Sequence, residues 1–135
     1  NKPRLFNPST TYLFDIMSQN KVWIARMNVQ TYRAQTLTLN DGNKIPQIGL
    51  GTWLSQPGEV GAAVEHSIKA GYRHLDLAKI YCNHDEIGAA FKKVFPSVVK
   101  REDVFITDKL WNNSHKPQQT PAALDQTLQE LGIDY

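Results

Sequence analysis

Gly71-Tyr-Arg-His-Leu-Asp-Leu-Ala-Lys-Ile-Tyr-Cys-Asn-His-Asp-Glu-Ile-Gly88 is the stretch on which the fold turns. Leu75 and Leu77 alternate with His74 and Asp76, the period of a strand with two unlike faces. Asp76 falls near the end of that run, and Tyr81 follows in a loop. Asn83 is placed to cap a helix whose first turn carries Asp85 and Glu86. Strand, loop and helix start therefore bring a carboxylate and a phenol together at a strand end, where α/β proteins usually site their chemistry.

Outward from that block the same grammar repeats. Leu37-Thr-Leu39 and Lys44-Ile-Pro46 flank Asn40-Asp-Gly-Asn43, a strong hairpin signal. Ile48-Gly-Leu-Gly-Thr-Trp53 reads as a buried strand with a glycine-rich end. Ser55, Pro57 and Glu59 mark a helix start. Val60, Val64 and Ile68 give that helix an apolar face, and Gly71 stops it. After the opening strand, Ile87, Phe91 and Val94 share one side of a second helix. Val104–Trp111 reads as a third core strand, and Thr120-Pro121 starts a helix through Leu124, Leu128 and Leu131 to Gly132. Ile133-Asp-Tyr135 reads as the possible start of another strand. Strand starts near 48, 74 and 104 fit right-handed βαβ units with a parallel sheet.

The bulk composition narrows the class. The chain has 135 residues, 41% hydrophobic and 21% charged, which suits one folded domain. A net charge of +2 is too small to argue for a nucleic-acid partner. No apolar run approaches the ~20 residues of a membrane-spanning helix. Cys82 is the only cysteine, so an internal disulfide is excluded and a reducing, cytoplasmic setting is expected. Residues 1–36 carry a net +4 and the rest a net −2. That first segment lacks a sustained period and reads as an irregular or foreign tail, its basic composition only loosely fitting a transit peptide. Residues 37–135 are the domain.

Together, the hairpin, Gly49-Leu-Gly-Thr-Trp53, Gly71-Tyr-Arg-His-Leu-Asp76, Tyr81 and Thr107-Asp-Lys-Leu-Trp-Asn112 closely resemble the aldo-keto reductases. The resemblance runs from about Leu37 to Tyr135 and implies a TIM-type (β/α)8 barrel, of which this chain would hold the N-terminal hairpin and about three β/α units. It implies NADPH-dependent reduction of aldehydes and ketones. Asp76, Tyr81 and Lys109 match catalytic positions. Gly51, Thr52, Trp53 and Asp76 match the cofactor side, and Trp53, Tyr81 and Trp111 match the walls of the substrate pocket. A fourth catalytic group of the family, a histidine, would lie on a strand starting around Ile133, beyond these residues. The chain is therefore expected to be a fragment or a truncated product, with a non-catalytic remnant or interaction module as the alternative.

The chemistry suits these residue types. Hydride attack on a carbonyl leaves an alkoxide that must gain a proton. A phenol can donate it, but its pKa of about 10 makes it a weak acid. A neighbouring ammonium favours the phenolate left behind. Lys109 would serve Tyr81 in this way, with Asp76 pairing to Lys109. Gly49 and Gly51 do not form a dinucleotide-binding G-x-G-x-x-G, because Trp53 and Leu54 follow. His66, His74, His84 and His115 show no ligand spacing, so no metal is expected. Neither His84 nor His115 is expected to replace the missing histidine. Asp108 departs from the small or hydroxyl residue usual in the family. Alternation turns it away from Lys109 towards the helices, where it needs a helix N–H or a basic partner. The partner expected is a small carbonyl or alcohol; no protein partner is indicated.

Overall fold

The computed structural model describes residues 35–135; the expectations for a tail lie outside the described residues, apart from its last two positions. In chain order the elements are β1 (Thr36–Thr38), β2 (Lys44–Pro46), β3 (Leu50–Gly51), α1 (Val60–Lys69), β4 (His74–Asp76), α2 (His84–Val94), β5 (Phe105–Thr107) and α3 (Thr120–Leu131). β1 begins one residue before the Leu37 boundary read from the sequence.

β1 and β2 pair antiparallel, Leu37 opposite Ile45. Gly42 turns the hairpin at φ +88°, a conformation costly for a residue with a Cβ. The Asp41 carboxylate accepts from the Asn43 amide and side chain, both at 2.9 Å, which favours its charged form and lowers its pKa.

β3, β4 and β5 form a parallel sheet in that order, with Gly51 opposite Asp76 and Asp76 opposite Thr107. The alternation on β4 holds: Leu75 and Leu77 are wholly buried. They meet Val60, Val64 and Ile68 of α1 and Ile87, Phe91 and Val94 of α2 in one core. His74, on the other face, bridges Pro46 O at 3.0 Å and Thr107 Oγ1 at 2.9 Å, tying the hairpin to the sheet.

Several elements differ from the sequence expectation. The segment 48–53 is not a buried strand: only Leu50–Gly51 pairs, and Ile48 and Trp53 are 63% and 68% exposed. The third core strand ends at Thr107, not Trp111; Thr107 O accepts from Leu77 N at 2.8 Å and the chain then leaves the ladder. Ile133–Tyr135 is not a strand. There Arg101 donates to Tyr135 O at 2.7 Å and stands over its ring.

Helix α3 is also rotated from the expected face. Leu131 is buried, but Thr127 is its other buried residue and Leu124 is 56% exposed. Asn83 occupies the N-terminal cap position of α2 without capping it; its side-chain amide donates to Thr52 O at 3.0 Å. Glu86, in the first turn of α2, accepts from Gly58 N at 3.0 Å and Gly61 N at 2.9 Å, closing the start of α1. Gly88 lets α2 and α3 approach closely, since a Cβ there would lie 2.4 Å from Glu130 O.

Candidate active site

The site gathers where β3, β4 and β5 end. Lys109 lies two residues past β5, clear of the ladder, and its ammonium swings back to the end of β4. It donates to Asp76 Oδ1 at 2.6 Å and to Leu77 O at 2.7 Å. The same nitrogen stands 5.3 Å from the centroid of the Tyr81 ring. Burial alone would push the lysine towards its neutral form. The side chains of Asp76 and Tyr81 outweigh it and hold its pKa above the ordinary value of 10.5. Lys109 is thus a full positive charge fixed beside the phenol at neutral pH.

Tyr81 is carried by a single 3-10 turn, Lys79–Tyr81, between β4 and α2. Cys82 ends that turn with φ +54°, in the left-handed region. Trp53 stacks on Tyr81, with ring centroids 6.3 Å apart and planes 26° from parallel. Thr52 is buried; its amide and hydroxyl both donate to Asp76 O, at 3.2 and 3.1 Å. The backbone that bears Asp76 is therefore held from β3 and its carboxylate from Lys109.

Gly51 sits beside Asp76 in the sheet, and a Cβ added there would meet nothing within 4 Å. The strand end is therefore open at Gly51, between Asp76 and the exposed Trp53, with Thr52 buried beside it; an open, side-chain-free edge of this kind suits a flat ring. Trp111 lines a hollow of about 460 Å³ with Lys109, Ile80, Leu110 and Leu124, and neither Trp53 nor Tyr81 borders it. The structure thus brings Asp76, Tyr81 and Lys109 together, with Thr52 on the Asp76 carbonyl and Trp53 on the Tyr81 ring; it does not bring Trp111 onto Trp53 or Tyr81.

A second cluster lies behind the Tyr81 turn. His84, the first residue of α2, is buried between two carboxylates: Nδ1 faces Glu130 Oε2 at 3.1 Å and Nε2 faces Asp108 Oδ1 at 3.3 Å. Asp108 also accepts from the Thr127 hydroxyl at 3.2 Å, and Glu130 is bound by Lys79 and by Gln126. The departure at Asp108 thus resolves as a basic neighbour plus a hydroxyl. Desolvation would favour neutral imidazole, but Asp108 and Glu130 together outweigh it and raise the pKa of His84 above 6.5. Burial would raise both carboxylates; the histidine, with Thr127 at Asp108 and Lys79 at Glu130, leaves them lowered instead. His115 contacts only Leu110 O, at 3.2 Å. Among the described residues, no group of three or more His, Cys, Asp and Glu is arranged to hold a metal.

The family model for Aldo/keto reductases matches residues 47–135. The chain belongs to the aldo/keto reductase family. It is 62% identical over 103 residues to a D/L-glyceraldehyde reductase of Hypocrea jecorina, covering 75% of this chain and 31% of that protein. It is 48% identical over 104 residues to aldo-keto reductase family 1 member A1 of Mus musculus, covering 76% and 32%. The structure of the Schistosoma japonicum aldose reductase aligns with a TM-score of 0.72 and 50% identity, over 75% of this chain and 34% of that one. A Bombyx mori aldo-keto reductase, solved with NADP, aligns with a TM-score of 0.71 and 39% identity, over 76% and 36%. This aldo/keto reductase chain spans about a third of the length of the relatives it matches. Its hairpin and three β/α units are part of the (β/α)8 barrel of those structures.

Proposed function

We propose that this chain carries the proton-donating part of an NADPH-dependent carbonyl reductase site. The observation that carries the reading is the single ammonium of Lys109, 2.6 Å from Asp76 and 5.3 Å from the Tyr81 ring. The bound nicotinamide would supply hydride to the carbonyl carbon of an aldehyde or ketone. Tyr81 donates its hydroxyl proton to the carbonyl oxygen as that oxygen gains charge. Lys109 stabilises the phenolate left behind, and Asp76 keeps Lys109 in place. Gly51, Thr52, Trp53 and Asp76 hold the ring end of the cofactor, while Trp53, Tyr81 and Trp111 form the apolar wall that orients the substrate. Cys82, the only cysteine of the sequence, is exposed and free, which supports a reducing, cytoplasmic setting. No helix among the described residues is long and apolar enough to cross a membrane.

The test joins residues 37–135 to the remaining two thirds of the Hypocrea jecorina reductase, in place of the matching segment. The graft is expected to oxidise NADPH with an aldehyde panel, and Tyr81→Phe is expected to lower kcat by about 10²–10⁴. A folded graft that turns over equally well without the Tyr81 hydroxyl contradicts the reading.

One observation favours a second reading, a non-catalytic interaction module. Among the described strands β5 pairs only with β4, and the hollow beside it exposes Leu110, Trp111 and Leu124. That reading predicts that the isolated chain associates with concentration in sedimentation. A monodisperse chain that binds NADPH contradicts it.

A further inference from the structure

The buried charge cluster behind the Tyr81 turn is not used by the reaction just described, yet its members flank both Tyr81 and Lys109 in the chain. Lys79, two residues before Tyr81, and His84, three residues after it, bind the same carboxylate, Glu130 of α3. The other nitrogen of His84 stands 3.3 Å from Oδ1 of Asp108, the residue directly before Lys109, within ion-pair reach but outside hydrogen-bond geometry. One imidazole thus joins the end of the tyrosine turn, the root of the lysine and helix α3.

The turn has other restraints, among them the stacking of Trp53 on Tyr81. Its internal backbone bonds are Tyr81 N to Ala78 O at 3.0 Å and Cys82 N to Lys79 O at 3.3 Å. Its flanks are held by Leu77 N on Thr107 O, by Lys109 on Leu77 O and by Asn83 on Thr52 O.

The charges facing His84 can be counted element by element. Asp108 comes from the end of β5, Glu130 from α3, and Lys79 reaches Glu130 from the turn. On its own helix, Glu86 is turned away onto Gly58 and Gly61. With His84 protonated, two cations meet two carboxylates and the cluster is neutral. With His84 neutral, one ring nitrogen presents a lone pair to a carboxylate oxygen, and Lys79 alone offsets the two carboxylates, leaving a net negative charge. Only the imidazolium can serve both carboxylates.

We propose that His84 is a positioning residue for the Tyr81–Lys109 pair, an imidazolium clamp between Asp108 and Glu130 that fixes the tyrosine turn against the root of the lysine. The proposal rests on the catalytic reading of Tyr81 and Lys109. Loss of the proton releases one carboxylate, loosens the turn and lowers kcat while KM changes little.

The test uses the same grafted barrel, with two readouts. The first, independent of turnover, is the side-chain ¹⁵N spectrum of histidine between pH 5 and 9, His84 being assigned by its loss in His84→Gln. Both ring nitrogens of His84 are expected to stay protonated above the ordinary histidine range of about 6.5. A neutral His84 at pH 6.5 overturns the clamp, whatever the enzyme's activity. The second readout is kcat against pH. The parent is expected to lose about fivefold as His84 deprotonates. His84→Gln, and the double variant His84→Gln/Asp108→Asn that removes the stranded carboxylate, are expected to lose that limb. If either folded variant keeps the parent's pH profile, the role is structural only. Tyr81→Phe separates the two ideas: if it stays active, the catalytic reading fails, while the ¹⁵N result still decides the clamp's charge.

Discussion

Lys109 is half exposed, so the strength of its pairing with Asp76 is moderated by solvent; what matters is where its charge is held. Two acceptors, Asp76 Oδ1 and Leu77 O, fix the ammonium beside Tyr81. Lys109→Met in the grafted barrel is expected to lower kcat by about 10²-fold with little change in folding, and Asp76→Asn by about tenfold. Steady-state kinetics with unfolding controls check both. The meeting of Asp76, Tyr81 and Lys109 was expected from the family resemblance, which the three residues carry at strand ends and in the loop between. The partner of Asp108 was not legible. Strand alternation turned it towards the helices, but His84 reaches it from another element, and no spacing along the chain encodes that meeting.

At the scale of elements, helix α1 is closed by a side chain that is 25 residues away from the amide it caps. Glu86→Ala strands the amides of Gly58 and Gly61 and is expected to cost about 1–2 kcal/mol in denaturant unfolding. Gly88→Ala is expected to cost about 1–3 kcal/mol, because its Cβ would press on the backbone of α3 at Glu130. The helices and their order followed from apolar spacing, as Val60, Val64, Ile68, Ile87, Phe91 and Val94 show. Strand lengths did not. A run of apolar residues such as 48–53 looks like a strand whether or not a neighbour pairs with all of it, and pairing stops at Gly51. The expected Asn83 cap of α2 fails for its own reason: residue type and place are right, but its amide is turned onto Thr52 O and its Oδ1 reaches no helix N–H. On α3, Leu124 fits the periodicity yet faces the open hollow, since Thr127 is drawn inward by Asp108.

For the whole molecule, the buried cluster sets a pH window. His84 has a raised pKa, so its stabilisation is full below its ordinary 6.5 and is lost as pH rises through the folded value. Asp108 and Glu130 have lowered pKa values, so theirs is full above the ordinary 3.8 and 4.5 and is lost as pH falls through the folded values. Stability of the domain is therefore expected to peak between about pH 5 and 6.5, checked by thermal melts across pH. In His84→Gln/Asp108→Asn the alkaline limb is expected to flatten. At this scale the architecture was readable from the βα repeat, and the family match extends it to part of a (β/α)8 barrel. The central claim is that Tyr81 and Lys109 act as one proton-donating unit. A double-mutant cycle on kcat in the grafted barrel, with Tyr81→Phe and Lys109→Met, tests it most directly. The double variant is expected to fall within about threefold of the slower single variant. Losses that multiply, or a Tyr81→Phe variant as fast as the parent, would contradict it.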